Sequence, residues 1–312
     1  MKRNDTGDIL FRNVLALFPC LILALVGSML VVLVWDAMPA IRHFGASFLY
    51  TSTWDPVFEQ YGALPFIYGT LVSSFVALLL AIPIGIGTAI FLSEYAPYRL
   101  RRVLSLLIDL LAAIPSVIYG LWGIFVLVPL MRTTIEPFLI KYLGFLPLFQ
   151  GAPYGVGMLT ASLILAIMIV PFIVSISREV ISAVPSVYKE AAYAMGATRW
   201  EAIWSIILSY GKPGIMGGVV LALGRAIGET MAVTMVIGNN VTISPSLLSP
   251  AYTLASVIAN EFAEAASHMY LSALIEMGVV LLAVSVLVNV IARLLIRSVL
   301  GKQGAALKAR RA

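Results

Sequence analysis

Apolar residues dominate six long stretches of the chain, and polar residues are concentrated between them. A span of about 20 mostly apolar residues is the length that an α-helix needs to cross a bilayer. Lipid offers no hydrogen-bond partner to the backbone, so such stretches must be helical. The pattern therefore predicts an all-α membrane protein with six transmembrane helices. The predicted spans are residues 14–35, 66–92, 103–130, 154–177, 213–238 and 270–296.

Composition supports this prediction and excludes an ordinary soluble domain. Of the 312 residues, 61% are hydrophobic and only 11% are charged, whereas soluble domains carry about 25% charged residues. The first apolar stretch is interpreted as a retained span, because it is longer than a signal-peptide core and no clear cleavage pattern follows it.

Basic residues predict the orientation of the spans, because Lys and Arg beside a span tend to remain in the cytoplasm. With the N-terminus inside, the predicted outer loops hold only Arg42, Arg132 and Lys141 of the chain's 20 Lys and Arg residues. Both termini are therefore expected in the cytoplasm. Residues 1–12 form the N-terminal segment, residues 13–300 a single membrane domain, and residues 301–312 a basic tail interpreted as solvated rather than nucleic-acid binding.

The largest predicted cytoplasmic loop, residues 178–212, contains a recognisable local pattern. An Ala-rich helix is expected to begin at Pro185 and to end at Gly196, a residue suited to a left-handed cap. Thr198 and Glu201 have capping-box spacing, which predicts that a second helix starts directly. The second helix is expected to end before the fifth span at Ser209, Gly211 and Pro213. Its predicted apolar face consists of Trp200, Ile203, Trp204 and Ile207.

Two opposite charges interrupt the fifth predicted span, in the run "GRAIGETMAVTMVIGN". Arg225 lies 12 residues beyond Pro213, roughly 18 Å along the helix and near the bilayer centre, where an unpaired charge costs at least ~2.5–3.5 kcal/mol. Glu229 follows four residues later, so a continuous helix places both on one face and predicts an ion pair. The pair is interpreted either as a structural link between helices or as part of an anion path, with Thr230 and Thr234 lining that path or bonding to their own helix.

Other polar residues in the predicted spans carry weaker signals. Asp109 in the third span and Glu276 in the sixth are expected to have structural or snorkelling roles, and Pro115 is expected to bend the third span. Cys20 is the single cysteine, and two histidines are too few for a metal cluster. No cofactor, metal site or disulfide within the chain is predicted.

The loop resembles the EAA loop of bacterial ABC importer permeases. That motif reads E-A-A, three residues, G, nine residues, I-x-L-P. The chain departs from it at Ser209, where the family usually has proline. The resemblance implies that the loop docks into an ATP-hydrolysing subunit and passes its motion to the spans. The residues that match, and to which it assigns ATPase coupling, are Glu190, Ala191, Ala192 and Gly196.

Further runs extend the resemblance to nearly all of residues 60–300. "GRAIGETMAVTMVIGN", "LLAAIPSVIYGLWGIFVLVP" and "TLASVIANEFAEA" are similar to permease subunits of phosphate-specific ABC transporters. The resemblance implies a type I ABC importer permease fold and inward transport of inorganic phosphate by alternating access across a bacterial plasma (inner) membrane. It also implies a heterodimer with a second permease, two ATPase subunits and an external phosphate-binding protein. Within it, Arg225 and Glu229 are expected to act in translocation.

Absent motifs limit the alternatives. There is no G-x-x-x-x-G-K-[ST] sequence, so the chain is not expected to hydrolyse ATP itself. H-E-x-x-H and G-x-S-x-G are also absent, which argues against an enzyme. The residues leave open a permease for sulfate, molybdate or phosphonate, because any oxyanion satisfies the same arginine chemistry. An ion-coupled secondary transporter remains a further alternative, although no internal repeat is visible.

Overall fold

The computed structural model describes the backbone of residues 5–309 and the side chains of residues 11–297. Within these residues the chain is helical, and its only β pairings are isolated bridges between Asp55 and Gln60 and between Gly238 and Ala251. Six helices are long and apolar enough to cross a membrane, which confirms the all-α prediction. These spanning helices, numbered first to sixth, are Phe11–Phe44, Leu64–Tyr95, Ser116–Leu143, Met158–Ser182, Arg199–Ile227 and His268–Arg297.

The terminal helices extend beyond the predicted spans. The first begins at Asp5, inside the predicted N-terminal segment 1–12, and the sixth continues to Ala309. Residues 1–4, residues 310–312 and the side chains of the predicted tail 301–312 lie outside the described residues. Shorter helices connect the spans; they are Ser47–Tyr50, Tyr98–Ala113, Ser186–Ala194, Met231–Val236 and Leu254–Glu261.

The boundaries predicted for the third span are wrong. Ile114 and Pro115 have extended backbones, with ψ of 129° and 139°, because proline lacks an N–H group and disfavours helix at the preceding residue. Pro115 therefore interrupts the helix rather than bending it. Asp109 lies on the preceding helix, Tyr98–Ala113, which has no buried residue. Arg132, predicted in an outer loop, lies inside the third spanning helix.

The fourth spanning helix forms the centre of the bundle. In the most apolar 18-residue stretch of this helix 61% of the residues are buried, whereas none is buried in the most apolar 18-residue stretch of the first helix. Gly85 allows the second helix to approach the fourth closely, since a Cβ there would lie 2.7 Å from the Ile173 side chain. The main hydrophobic cluster joins the second to fifth helices around Ile164, Leu165 and Ile169.

A second cluster fastens the loop before the second helix to the start of the sixth. Trp54 and Tyr270 both donate hydrogen bonds to Oε2 of Glu261, at 2.8 and 2.7 Å. Tyr61 stacks on Tyr270 with ring centroids 5.6 Å apart. Burial, with a smaller contribution from Glu59, raises the pKa of Tyr61 to about 12, so its phenol stays neutral. This end of the bundle is therefore tied together by one shared carboxylate.

Candidate functional site

The fifth spanning helix is interrupted beside Arg225. It ends at Ile227 with Gly228 as its C-cap, Glu229 and Thr230 are not helical, and a six-residue helix begins at Met231. The prediction of one continuous span over residues 213–238 is therefore wrong. Glycine gains more backbone freedom outside a helix than any other residue, which favours a break at this point. Arg225 in the last turn complements the negative end of the helix dipole.

The start of this helix also differs from the prediction. Helix runs without a stop from Arg199 through Pro213, although Ser209, Gly211 and Pro213 were expected to end it. Ile207 and Ile215 are buried at 0% and 4% exposure, in the cluster that joins the second, fourth and fifth spanning helices. Burial of this apolar face outweighs the low helix propensity of glycine and proline.

The predicted ion pair between Arg225 and Glu229 does not form. Among the described side chains, the ion pair present is between Lys189 and Glu94. The Arg225 guanidinium lies instead over the ring of Phe172 on the fourth helix, with Cζ 4.3 Å from the ring centroid. Because Gly228 and the residues after it leave the helix, Glu229 no longer occupies the face that i, i+4 spacing would give it.

The hydroxyl groups of Thr230 and Thr234 donate hydrogen bonds to nearby backbone carbonyls. Thr230 donates to the Gly228 carbonyl at 3.3 Å, and Thr234 donates to the Thr230 carbonyl at 2.8 Å. In this conformation neither proton is directed to an anion, which matches the alternative that such residues bond to their own helix. Their place on a translocation path stays a prediction.

The loop between the fourth and fifth spanning helices, residues 183–198, is called the glycine corner below. It contains the first of the two helices predicted for residues 178–212, and the second is the start of the fifth spanning helix. Its first helix, Ser186–Ala194, begins after Pro185. Ala197 N–H donates to the Ala192 carbonyl and Gly196 N–H to the Tyr193 carbonyl, which is a Schellman cap. Gly196 has φ of +85°. The capping box of Thr198 and Glu201 is confirmed in both directions.

The residues matched to the EAA motif differ in their exposure to solvent. Glu190, Ala191 and Gly196 are exposed, so a partner can reach them. Ala192 is 2% exposed and contributes to the packing of the corner instead. Only half of the apolar face predicted for the following helix is buried. Ile203 and Ile207 are buried. Trp200 and Trp204 are 62% and 55% exposed and contact each other.

An ion pair that the sequence did not predict fastens the glycine corner to the bundle. Lys189, adjacent to Glu190, places Nζ 2.6 Å from Oε1 of Glu94 in the last turn of the second spanning helix. Both side chains are largely shielded, at 23% and 12% exposure. The residues are 95 positions apart, so no local pattern in the sequence indicates their contact.

Gly196→Ala is expected to weaken the corner. A left-handed conformation costs a residue with a Cβ roughly 1–2 kcal/mol, which is about a 5- to 30-fold shift in the population of the native corner. Gly196→Asn is the matched control, because Asn tolerates this conformation better, and no atom lies within 4 Å of the added Cβ. Binding of the ATPase subunit to the purified chain measures the effect. Equal binding by the alanine and asparagine variants would contradict the backbone explanation.

Two buried acidic residues lie inside spanning helices. Glu276 is 6% exposed and Glu136 is fully buried, so the snorkelling role considered for Glu276 is wrong. Oε2 of Glu136 accepts a hydrogen bond from Gly155 N–H at 2.9 Å, which fastens the loop before the fourth helix. One oxygen of each carboxyl has no hydrogen-bond partner among the described residues. Residue 136 falls between the predicted third and fourth spans, so the hydropathy pattern gave no sign of a buried carboxyl there.

Comparison with known proteins identifies the family to which the chain belongs. Residues 81–301 match the model of the family described as "Binding-protein-dependent transport system inner membrane component". The chain is 47% identical to the phosphate transport system permease protein PstC of Mesorhizobium japonicum, over 98% of this chain and 94% of that protein. It is 48% identical to the protein of the same name from Pasteurella multocida, over 95% and 94%.

A solved structure has a similar fold. The crystal structure of the bacterial alginate ABC transporter, in complex with its alginate-bound periplasmic protein, contains a chain that matches this one with a TM-score of 0.62. The sequence identity is 16%, over 95% of this chain and 96% of that chain. At this identity the likeness supports the arrangement of the helices, which is that of an ABC importer permease.

Proposed function

Because this chain belongs to the family of binding-protein-dependent transport system inner membrane components, we propose that it is the permease subunit of an importer of inorganic phosphate. The observation that carries the proposal is identity of 47% and 48% to permeases of phosphate transport systems over at least 94% of both chains. The chain is a multi-pass membrane protein of this family, and its substrate is phosphate rather than another oxyanion.

Arg225 supplies the chemistry that an anion path needs. A guanidinium carries a permanent charge and several donors in one plane, which suit a tetrahedral oxyanion. Glu229 lies beyond the break at Gly228 and is not paired with Arg225. In the proposal, Glu229 competes with phosphate for Arg225 when the break changes conformation, so that binding stays weak enough for release. Thr230 and Thr234 belong to the same proposed path.

Energy for transport is proposed to come from other chains. The sequence holds no P-loop, so two separate ATPase subunits would bind the exposed residues of the glycine corner, Glu190, Ala191 and Gly196. A second permease would complete the path as a heterodimer, and an external phosphate-binding protein would deliver the substrate. This arrangement places the chain in the bacterial plasma membrane, with both termini and the glycine corner in the cytoplasm.

ATP-dependent uptake tests the proposed function. The chain is reconstituted in vesicles with its second permease, ATPase and binding protein, and entry of labelled phosphate is measured with excess sulfate present. We expect uptake that requires ATP, resists sulfate and persists when ion gradients are collapsed. Uptake inhibited by sulfate would indicate a general oxyanion permease, and uptake that follows an ion gradient without ATP would contradict an ABC importer.

A further inference from the structure

The immediate surroundings of Arg225 differ from those that its sequence neighbours suggest. Among the described side chains, no carboxylate lies within ion-pair distance of the guanidinium. Its contact is with the Phe172 ring, 4.3 Å from Cζ to the ring centroid. Cation–π attraction operates within about 6 Å of a ring centroid. The aromatic ring therefore holds the charge in the place where an acidic side chain was expected.

This contact leaves the N–H donors of Arg225 without a hydrogen-bond acceptor. A guanidinium has five N–H groups in one plane, and a cation–π contact supplies no lone pair to any of them. Among the described residues, Arg225 donates no hydrogen bond to the protein. Tyr119 is near enough for the charge of Arg225 to act on its hydroxyl, but that hydroxyl donates to the Leu111 carbonyl at 2.8 Å.

Phe172 lies in the fourth spanning helix, the most buried of the six in the described chain. Its own side chain is half-buried. A free arginine side chain carries about 2 kcal/mol of rotamer entropy. A ring on this helix that confines the guanidinium removes part of this freedom before an anion arrives, which is a form of preorganisation.

We propose that Phe172 is a positioning residue for phosphate translocation. Its ring holds the Arg225 guanidinium by cation–π attraction, so that N–H groups with no acceptor among the described residues remain available to a passing phosphate. This inference rests on the proposed function. It assigns a role on the fourth helix, outside the segment of residues 225–234 to which the sequence had assigned the path.

Three variants in the reconstituted importer test the proposal. Phe172→Leu removes the aromatic face, Phe172→Tyr keeps it, and Phe125→Leu makes the same change at a ring that is 75% exposed on the third spanning helix. The readout is phosphate imported per ATP hydrolysed, alongside the ATP hydrolysis rate and subunit assembly. If Phe172 acts only in packing, its loss changes subunit assembly or the rate of ATP hydrolysis. If it positions Arg225, its loss lowers the phosphate imported per ATP hydrolysed.

Phe172→Leu is expected to lower the phosphate-to-ATP ratio about 2- to 30-fold, the range that corresponds to a cation–π contact. Phe172→Tyr and Phe125→Leu are expected to stay near the wild-type ratio. An unchanged ratio in Phe172→Leu overturns the inference alone, as does an equal loss in Phe172→Tyr or Phe125→Leu. Absence of phosphate uptake by the wild-type complex overturns both the inference and the proposed function.

Discussion

Arg225→Ala abolishes phosphate uptake while the complex still assembles and hydrolyses ATP: this is the largest effect we expect. A charge-assisted hydrogen bond contributes about 1.5–3 kcal/mol. Two such bonds to one phosphate therefore correspond to at least about a hundredfold loss of transport. We expect the variant to lose transport and not folding, because Arg225 is exposed and forms no ion pair with a described side chain. Initial rates of ATP-dependent uptake of labelled phosphate provide the measurement.

Two further arginine variants make this result specific. Arg225→Lys keeps a charge but loses the planar set of donors, so intermediate transport is expected. Arg293→Ala removes another exposed arginine from a spanning helix, the sixth, and should transport at close to the wild-type rate. If Arg225→Ala transports phosphate normally, Arg225 has a structural role and the anion site lies elsewhere, in this chain or in the second permease.

Reversing either charge of the Lys189–Glu94 pair should uncouple ATP hydrolysis from transport. The pair links the glycine corner to the second spanning helix, and both groups are shielded enough to resist screening. Lys189→Glu or Glu94→Lys places like charges together, and we expect phosphate imported per ATP to fall about tenfold or more. The double reversal restores an attractive pair and should recover most of the ratio.

Glu179→Lys provides the matched control for charge reversal. Glu179 is exposed in the last turn of the fourth spanning helix, just before the glycine corner. It belongs to no ion pair among the described side chains, so reversing its charge should leave the phosphate-to-ATP ratio unchanged. If the double reversal transports no better than the single variants, the pair does not carry the motion of the corner. The buried contacts of Ile203 and Ile207 with the ends of the second and fourth helices would then be the remaining route.

Local chemistry made several features predictable. The capping box of Thr198 and Glu201 and the left-handed Gly196 follow from groups within a few residues of each other, and both are present. Four of the six spanning helices overlap the predicted spans closely, because length and apolarity are additive along the chain. The third was displaced because Pro115 interrupts the helix, and a count of apolar residues does not register such an interruption.

Helix ends and long-range contacts were less predictable. The helix runs through Pro213 because Ile207 and Ile215 are buried against the fourth helix, and it breaks at Gly228 despite an apolar sequence on both sides. The i, i+4 spacing of Arg225 and Glu229 predicted a pair only on the assumption that the helix continued. Both errors arise from treating a local preference as decisive where packing decides.

The sequence by itself determined the class of the protein, the six spans, the shape of the glycine corner and the importance of an arginine in the fifth spanning helix. Hydropathy, capping and the cost of a buried charge are properties of a residue and its near neighbours. Only the tertiary structure decided what Arg225 contacts, because Phe172 lies 53 positions away on another helix. It also decided that Lys189 meets Glu94, since contacts between distant residues depend on how the helices pack.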